Sequence, residues 1–225
     1  MTGRSPVSRL RSLVIIMLKR LFDLVVAAAG LLVLSPLMLL TIILIKLDSH
    51  GPAFFKQERV GQGFRPFLIY KFRTMVADAA QRGSSITVGA DPRITRIGHF
   101  LRKTKIDELP QLINVLKGEM SFVGPRPEVP RYVGLFRKDY EEILRLRPGI
   151  TDPASLKYEN EAEWLSQFDN PEDEYIKQVL PHKIALAKQY SHKSSFVVDF
   201  ALILKTVPRL FGFKAARISR INNER

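Results

Sequence analysis

The chain has no cysteine among its 225 residues. Disulfide bonds, thiolate catalysis and cysteine-based metal sites are therefore excluded, and the composition is compatible with a reducing compartment. The four histidines show no metal-ligand spacing. A GxxxxGKS/T phosphate loop, a complete GxGxxG fingerprint and a GxSxG hydrolase elbow are also missing from the sequence. The usual nucleotide-binding and hydrolase motifs therefore do not explain this chain.

Acidic residues are in short supply, with 22 Asp and Glu against 35 Lys and Arg, which gives a formal net charge of +13. The excess is concentrated in residues 1–75, which also hold the longest apolar run. Because basicity and apolarity coincide there, we expect an anionic membrane surface to be the partner, and no nucleic acid. The length suffices for one sizeable core with an appended membrane element.

Charge is absent from Leu24 to Ile45, a stretch of 22 residues that is long enough to cross a bilayer. Basic residues flank both ends, so the positive-inside tendency places both ends in the cytoplasm. Ser35 and Pro36 lie near the middle, where proline removes a helix hydrogen bond. We therefore predict a re-entrant membrane helix over residues 19–48, bent at Ser35 and Pro36, with the Ser35 hydroxyl serving the carbonyl that Pro36 leaves free. A kinked transmembrane helix is the alternative; a signal peptide is disfavoured by the length of the run and the lack of a cleavage site.

Other segments predict a mainly helical α+β fold with a small β-hairpin. The hairpin pairs Phe54 to Val60 with Pro66 to Arg73. Residues 78–93 are typical of a loop, and a helix is expected near 172–190 after an acidic stretch. An amphipathic helix begins at Phe196, and its apolar face suits either a membrane surface or packing on the body.

The most informative stretch is 98–128, where the adjacent carboxylates Asp107 and Glu108 precede a helix predicted from Pro110 to Lys117. The N-terminal end of a helix favours both carboxylates and phosphate groups. We expect the acids to be presented and not buried, with an apolar stripe on the helix made by Leu109, Leu112, Ile113 and Leu116. Simple helix caps are the alternative interpretation of the two acids.

Several basic residues are candidates for binding phosphate. Arg126 lies between two prolines that restrict its backbone, which suits anion recognition, and Arg147 lies in a similar Arg-Pro-Gly stretch. Lys71 and Arg73 share one face of the second hairpin strand. Solvent-facing side chains are the alternative for each of them. Arg96, Arg102, Lys103 and Lys105 form a basic cluster that can face lipid headgroups.

Five stretches together resemble the bacterial sugar transferase family, the small monotopic phosphoglycosyl transferases that begin surface glycan assembly. They are KRLFDLVVAAAGLLVLSPLMLL, FKQERVG, YKFRTM, DPRITRIGHFLRKTKIDELPQLINVLKGEMSFVGPRP and RPGIT, within residues 19–151. The resemblance implies transfer of a sugar 1-phosphate from a nucleotide sugar, usually a UDP-sugar, to polyprenyl phosphate through a covalent phosphosugar on an aspartate. It also implies an enzyme at the bacterial inner membrane, with its catalytic domain facing the cytoplasm.

Carried over by position, the resemblance makes Asp107 the nucleophile and Glu108 its partner in holding Mg²⁺, a hard cation suited to carboxylate and diphosphate oxygens. Lys71, Arg102, Arg126 and Arg147 match the family's anion-binding positions. Glu159 stands where many members have arginine, which weakens any carry-over from the loop 152–160 and leaves the sugar open. A non-catalytic membrane-surface scaffold that binds anionic lipid or nucleic acid is the alternative function.

Four parts of the chain follow from this interpretation. They are a basic N-terminal segment at 1–18, the re-entrant helix at 19–48, a cytoplasmic catalytic domain at 49–195, and an amphipathic helix with a basic tail at 196–225. The expected partners are membrane lipid, polyprenyl phosphate and a nucleotide sugar. The oligomeric state stays open, with a homodimer among the alternatives.

Overall fold

The structure, a computed structural model, describes residues 6–82 and 86–210. Within these ranges the fold is mostly helical with a small hairpin, as predicted. The helices are α1 (Pro6–Asp48), α2 (Arg96–Thr104), α3 (Gln111–Lys117), α4 (Pro130–Leu135), α5 (Arg137–Ile143), α6 (Pro153–Lys157), α7 (Glu161–Leu165), α8 (Pro171–Glu174), α9 (Leu180–Lys193) and α10 (Phe196–Leu210). The strands are β1 (Phe54–Val60), β2 (Pro66–Phe72), β3 (Ser121–Val123) and β4 (Gly149–Thr151).

Helix α1 is a single run of 43 residues that includes Pro36 and continues across the predicted boundary at residue 19. Proline has no N–H to donate to the carbonyl four residues earlier, which here is that of Leu32. The Ser35 hydroxyl donates to this carbonyl at 2.7 Å. The predicted role of Ser35 is therefore confirmed, and the helix tolerates proline because a neighbouring side chain replaces the missing donor.

One face of α1 packs on the rest of the molecule, while the opposite face is apolar and exposed. The buried face joins two clusters, one with α3 and the hairpin around Ala27 and one with α2 and β2 around Met38 and Ile45. The exposed face includes Val25, Leu32, Val33, Leu37, Leu39, Leu40, Ile43 and Leu47. A surface helix of a soluble protein also buries an apolar face, but its exposed face is polar.

The predicted hairpin is confirmed, with β1 and β2 antiparallel and Phe54 paired with Phe72. The parallel pairing of β3 with β4 was not predicted, because strands of three residues carry too little periodicity to be recognised. This pairing brings residues 124–127 beside 147–149. The approach is so close that a Cβ on Gly124 would lie 2.2 Å from the carbonyl oxygen of Arg147.

Helix α3 begins at Gln111, one residue after the predicted start at Pro110, which caps it. The predicted end at Lys117 is confirmed, and Gly118 follows with a φ of 85°. The predicted apolar stripe is wrong in part, because Leu116 is exposed whereas Gln111 and Asn114 are buried. Tertiary hydrogen bonds cause this difference. Asn114 accepts from the Tyr70 N–H at 3.0 Å and donates to the Leu68 carbonyl at 2.7 Å, so a polar side chain fixes α3 to β2.

The structure has the helices predicted near 172–190 and from Phe196 onward, and it adds a turn that was not predicted. A π-helical turn, Tyr175–Val179, leads from α8 into α9. Helix α10 packs on the body through Leu202 and Asp199, and the Asp199 carboxylate binds Lys19 of α1 and the Tyr190 hydroxyl of α9, each at 2.5 Å. Exposed apolar side chains occupy its other face. Residues 211–225, which hold the rest of the predicted tail, lie outside the described residues.

Candidate active site

Glu108 is the centre of a cluster of opposite charges. Its Oε1 accepts from Lys71 Nζ at 2.7 Å and from Arg126 Nη2 at 2.8 Å. Burial by itself would raise the pKa of Glu108, but Arg126 and Lys71 together hold that pKa well below its usual value. The same contact raises the pKa of Arg126. Glu108 is therefore ionised at neutral pH and holds two cations at one point.

Asp107 has a different environment from its neighbour. The prediction that both acids are presented is wrong for Asp107, which is only 8% exposed. Burial raises the pKa of Asp107, with Lys71 opposing that rise and Glu108 adding to it. Its Oδ1 is buried and has no hydrogen-bond partner within the described ranges. A buried carboxylate oxygen without a donor is costly, by about 1–3 kcal/mol, which indicates a role other than capping.

The local chain explains how the two acids reach the site. Helix α2 ends at Thr104, and Lys105, the residue that caps it, adopts the left-handed conformation with φ of 58°. A 3₁₀ turn, Ile106–Glu108, follows directly and leads through Leu109 and Pro110 into α3. The side chains at 107 and 108 point in different directions because neighbouring helical positions do not share a face. Asp107 is thus buried, whereas Glu108 meets the cations on β2 and the 124–127 segment.

The backbone of Arg126 is held from several sides. The Asp152 carboxylate accepts from its N–H at 3.3 Å, and the Gly149 N–H donates to the Pro125 carbonyl at 3.0 Å. The flanking prolines restrict rotation as the sequence predicted. Asp152 was not identified from the sequence as a supporting residue. An aspartate directly before Pro153 is nevertheless a recognisable helix-start signal. Asp152 caps α6 by accepting from the Ser155 N–H.

Of the other two predicted phosphate-binding cations, Arg102 lies near Asp107, whereas Arg147 does not contact either acid among the described residues. Arg102 donates through Nε to the Thr74 hydroxyl at 2.9 Å and lies within electrostatic range of Asp107. Arg147 instead lies within electrostatic range of Arg20, and no contact between described residues joins it to Asp107 or Glu108.

Arg73, which the sequence offered either as a phosphate-binding residue or as a solvent-facing one, has a structural role instead. It is buried, and its guanidinium donates to the carbonyls of Ser49 and His50 at 2.7 Å. These carbonyls lie at the end of α1, where helical donors are missing. Arg73 therefore ties the residues after α1 to the end of β2, and its guanidinium is used for this contact.

The carboxylate oxygens fit a hard divalent cation. No group of three or more His, Cys, Asp or Glu residues with metal-binding geometry occurs among residues 6–82 and 86–210. Mg²⁺ is commonly held by one or two carboxylates together with substrate phosphates and water. Glu108 has its second oxygen, Oε2, outside the contacts with Lys71 and Arg126, and this oxygen suits such a cation.

A family model described as bacterial sugar transferase matches residues 14–212. The match covers most of the chain and includes α1 from residue 14 onward, the Asp107–Glu108 turn and the segment around Arg126. The chain therefore belongs to the bacterial sugar transferase family, as the sequence motifs predicted.

Three relatives show what the chain is similar to. The "UDP-N-acetylgalactosamine-undecaprenyl-phosphate N-acetylgalactosaminephosphotransferase" of Aeromonas hydrophila is 39% identical over 204 residues, covering 88% of this chain and 45% of the relative. The "Exopolysaccharide production protein PSS" of Rhizobium leguminosarum bv. phaseoli is 40% identical over 199 residues, covering 85% and 94%. The "UDP-glucose:undecaprenyl-phosphate glucose-1-phosphate transferase" of Escherichia coli K12 is 34% identical over 203 residues, covering 89% and 41%. The chain thus spans less than half of the first and third relatives.

Proposed function

We propose that this protein transfers a sugar 1-phosphate from a UDP-sugar to undecaprenyl phosphate, at the cytoplasmic face of a bacterial inner membrane. The substrate classes follow the names of the relatives. The observation that carries the proposal is the pairing of Asp107, which is buried with a free oxygen, with Glu108, which holds Lys71 and Arg126 beside it. A nucleophile and cations for phosphate are therefore present in one place.

In the first step, Asp107 Oδ1 attacks the phosphorus that carries the sugar. The bond from this phosphorus to the bridging oxygen breaks, and the oxygen leaves with its electron pair on the nucleoside monophosphate. An acyl phosphate joins Asp107 to the sugar. The carboxylate must be ionised for this attack, and its raised pKa makes it a stronger base than an exposed aspartate. Lys71 and Arg126 supply positive charge where the phosphate oxygens lie.

In the second step, a phosphate oxygen of the polyprenyl phosphate attacks the same phosphorus. The bond to Asp107 breaks, the carboxylate is restored, and a polyprenyl diphosphate sugar is released. Two displacements let two bulky substrates use one site in turn. Asp107 and Glu108 would hold Mg²⁺, which would neutralise diphosphate charge when bound.

The packing of α1 supports a helix that enters and leaves the same side of the membrane. Asp23 accepts from the Phe122 N–H at 3.2 Å, and Asp48 accepts from the Ile97 N–H at 3.0 Å. Positions 23 and 48 are about 37 Å apart along a straight helix, which exceeds the hydrocarbon thickness of about 30 Å. A transmembrane helix would place them on opposite sides, yet one folded body contacts both of them.

Single cysteines test this topology, because the chain has no cysteine of its own. Ser5→Cys and His50→Cys should both react with an impermeant maleimide from the cytoplasmic side of oriented vesicles. Labelling from opposite sides contradicts re-entrance. In the same background, a fluorophore at Leu37→Cys should be quenched by lipid-chain spin labels more strongly than one at Leu47→Cys, because residue 37 lies next to the proposed bend.

One assay tests the proposed reaction. Purified protein with Mg²⁺ and undecaprenyl phosphate should release UMP from at least one member of a panel of UDP-sugars, and the same assay identifies the donor. No release from any donor, combined with salt-sensitive binding to anionic vesicles, would instead favour a membrane scaffold.

A further inference from the structure

A largely buried polar set adjoins the segment that carries Arg126 and, among the described residues, forms no hydrogen bond with Asp107, Glu108 or Lys71. It consists of Arg59 from β1, Glu128, and Tyr175 from the π-helical turn. Arg59 Nη1 donates to the Pro127 carbonyl at 3.1 Å and lies 3.5 Å from Glu128 Oε2. The Tyr175 hydroxyl donates to Glu128 Oε1 at 2.7 Å.

This set fixes the segment that carries Arg126 on its C-terminal side. The carbonyl held by Arg59 belongs to Pro127, directly after Arg126. The next carbonyl, that of Glu128, accepts from the Val60 N–H at 3.0 Å. Residues of β1 therefore hydrogen-bond to two successive carbonyls of this segment. The opposite side is held through Asp152 and Gly149. Arg126 is therefore supported from both directions, and only its guanidinium is left to reach Glu108.

The charges in the set also bear on Arg126. Glu128 is buried behind it and stabilises its positive charge, whereas Arg59 is a second cation in electrostatic range of it. Glu128 interacts favourably with both. If its charge were removed, Arg59 and Arg126 would repel each other across a region of low polarity.

Tyr175 links this set to a part of the chain where the family motifs fade. It opens the π-helical turn Tyr175–Val179, and such turns frequently occur at functional sites. Burial, with Glu128 adding to it, raises the pKa of the Tyr175 hydroxyl well above its usual value, so the hydroxyl remains a donor at every physiological pH. Its ring packs on Tyr132 with centroids 5.1 Å apart.

We infer that Arg59, Glu128 and Tyr175 are positioning residues that act on the reaction through Arg126. The inference rests on the proposed function. A displacement of about 1 Å at a reacting group can lower a rate by up to about 100-fold. Loss of this set should therefore lower turnover although none of its members needs to touch substrate.

Tyr175→Phe and Tyr158→Phe form a matched pair for the test. Both tyrosines are buried in the same core cluster, and each hydroxyl has one side-chain partner, which is Glu128 for Tyr175 and His182 for Tyr158. Tyr175→Phe should lower kcat for UMP release by about fivefold, and Tyr158→Phe by less than about twofold. Equal effects of the two substitutions overturn the inference.

A double-mutant cycle separates positioning from mere stability. Glu128→Gln should lower kcat by about 10–100-fold in the otherwise unchanged protein and by less than about twofold in an Arg126→Ala background, since its effect passes through Arg126. Equal losses in both backgrounds overturn the inference, as does a kcat unaffected by Glu128→Gln. If the unsubstituted protein releases no UMP from any donor, the proposed function fails instead.

Discussion

The candidate active site and the outer face of α1 depart from the usual surface of a soluble protein in opposite ways. At the site, carboxylates and cations are buried or half-buried around Asp107 and Glu108. On α1, large apolar side chains such as Leu32 and Val33 are more than 70% exposed. Burying charge and exposing apolar surface are each unfavourable in water.

Each departure suits one half of the proposed lipid substrate. A polyprenyl phosphate has a charged headgroup and a hydrocarbon tail. Cations gathered around Glu108 suit the phosphate, and the exposed face of α1 suits the hydrocarbon region. Lys19, Arg20 and Asp23 precede the uncharged stretch that begins at Leu24, and all three attach α1 to the body. We therefore expect these polar contacts to set the depth of the candidate site at the membrane.

The largest effect is expected from Asp107→Asn, which removes the proposed nucleophile. UMP release should fall by at least about 10³-fold. Ionised Asp107 destabilises the fold at neutral pH because its pKa is raised in the folded state. The variant should therefore melt at the same temperature or higher. Full activity in this variant would contradict the assignment of Asp107, and a large drop in Tm would leave the loss attributable to unfolding.

Lys71→Met comes next, with an expected loss of about 100-fold in kcat/KM, because one cation leaves the phosphate site. Lys71 lowers the pKa of Asp107, so its removal should raise that pKa further. Because the reaction needs ionised Asp107, the acid limb of the kcat/KM profile should move to higher pH. Lys56→Met, an exposed lysine on β1, is the control and should leave the limb in place. A shift toward lower pH contradicts the account.

Asp23→Ala tests the attachment of α1 and should affect stability more than chemistry. The substitution leaves the Phe122 N–H without its acceptor, at a cost of about 1–3 kcal/mol in the free energy of unfolding. Thermal unfolding in mild detergent measures the change. Asp169→Ala, at an exposed position, should stay within about 0.5 kcal/mol of the unsubstituted protein. Equal stability of both variants would show that Asp23 does not hold the helix.

The smallest effect is expected at Ser35, the residue before Pro36. Ser35→Ala leaves the Leu32 carbonyl without a donor, which should cost about 1 kcal/mol. Thr41→Val is the control, because the Leu37 carbonyl that accepts from the Thr41 hydroxyl also accepts the ordinary helical N–H of residue 41. The difference in Tm between the two variants reports the special role of Ser35. No difference means that the Ser35 hydroxyl is as redundant as that of Thr41.

The sequence predicted those features that depend on local chemistry. The hairpin, the limits of α3, the turn at Gly118 and the bond from Ser35 all follow from residues close together in the chain. Burial of Asp107 and Asn114, the parallel pairing of β3 with β4, and the separate location of Arg147 depend on distant contacts. Periodicity carries no information about these contacts.

The candidate site was predicted in the same uneven way. The motifs identified Asp107, Glu108, Lys71 and Arg126, and the structure brings these four together. The pKa of Asp107 is raised and that of Glu108 is lowered, a difference that adjacent positions in a sequence cannot reveal. The supports of Arg126 come from β1, α6 and the π-helical turn, so no single stretch of sequence contains them.

The central claim is that Asp107 carries the sugar phosphate between the two substrates. Intact mass spectrometry of the protein, mixed with Mg²⁺ and its UDP-sugar donor in the absence of polyprenyl phosphate, tests this directly. We expect an added mass equal to one sugar phosphate, absent from Asp107→Asn and lost when undecaprenyl phosphate is added. A protein that turns over both substrates but shows no adduct, or an adduct that persists in Asp107→Asn, would contradict the account.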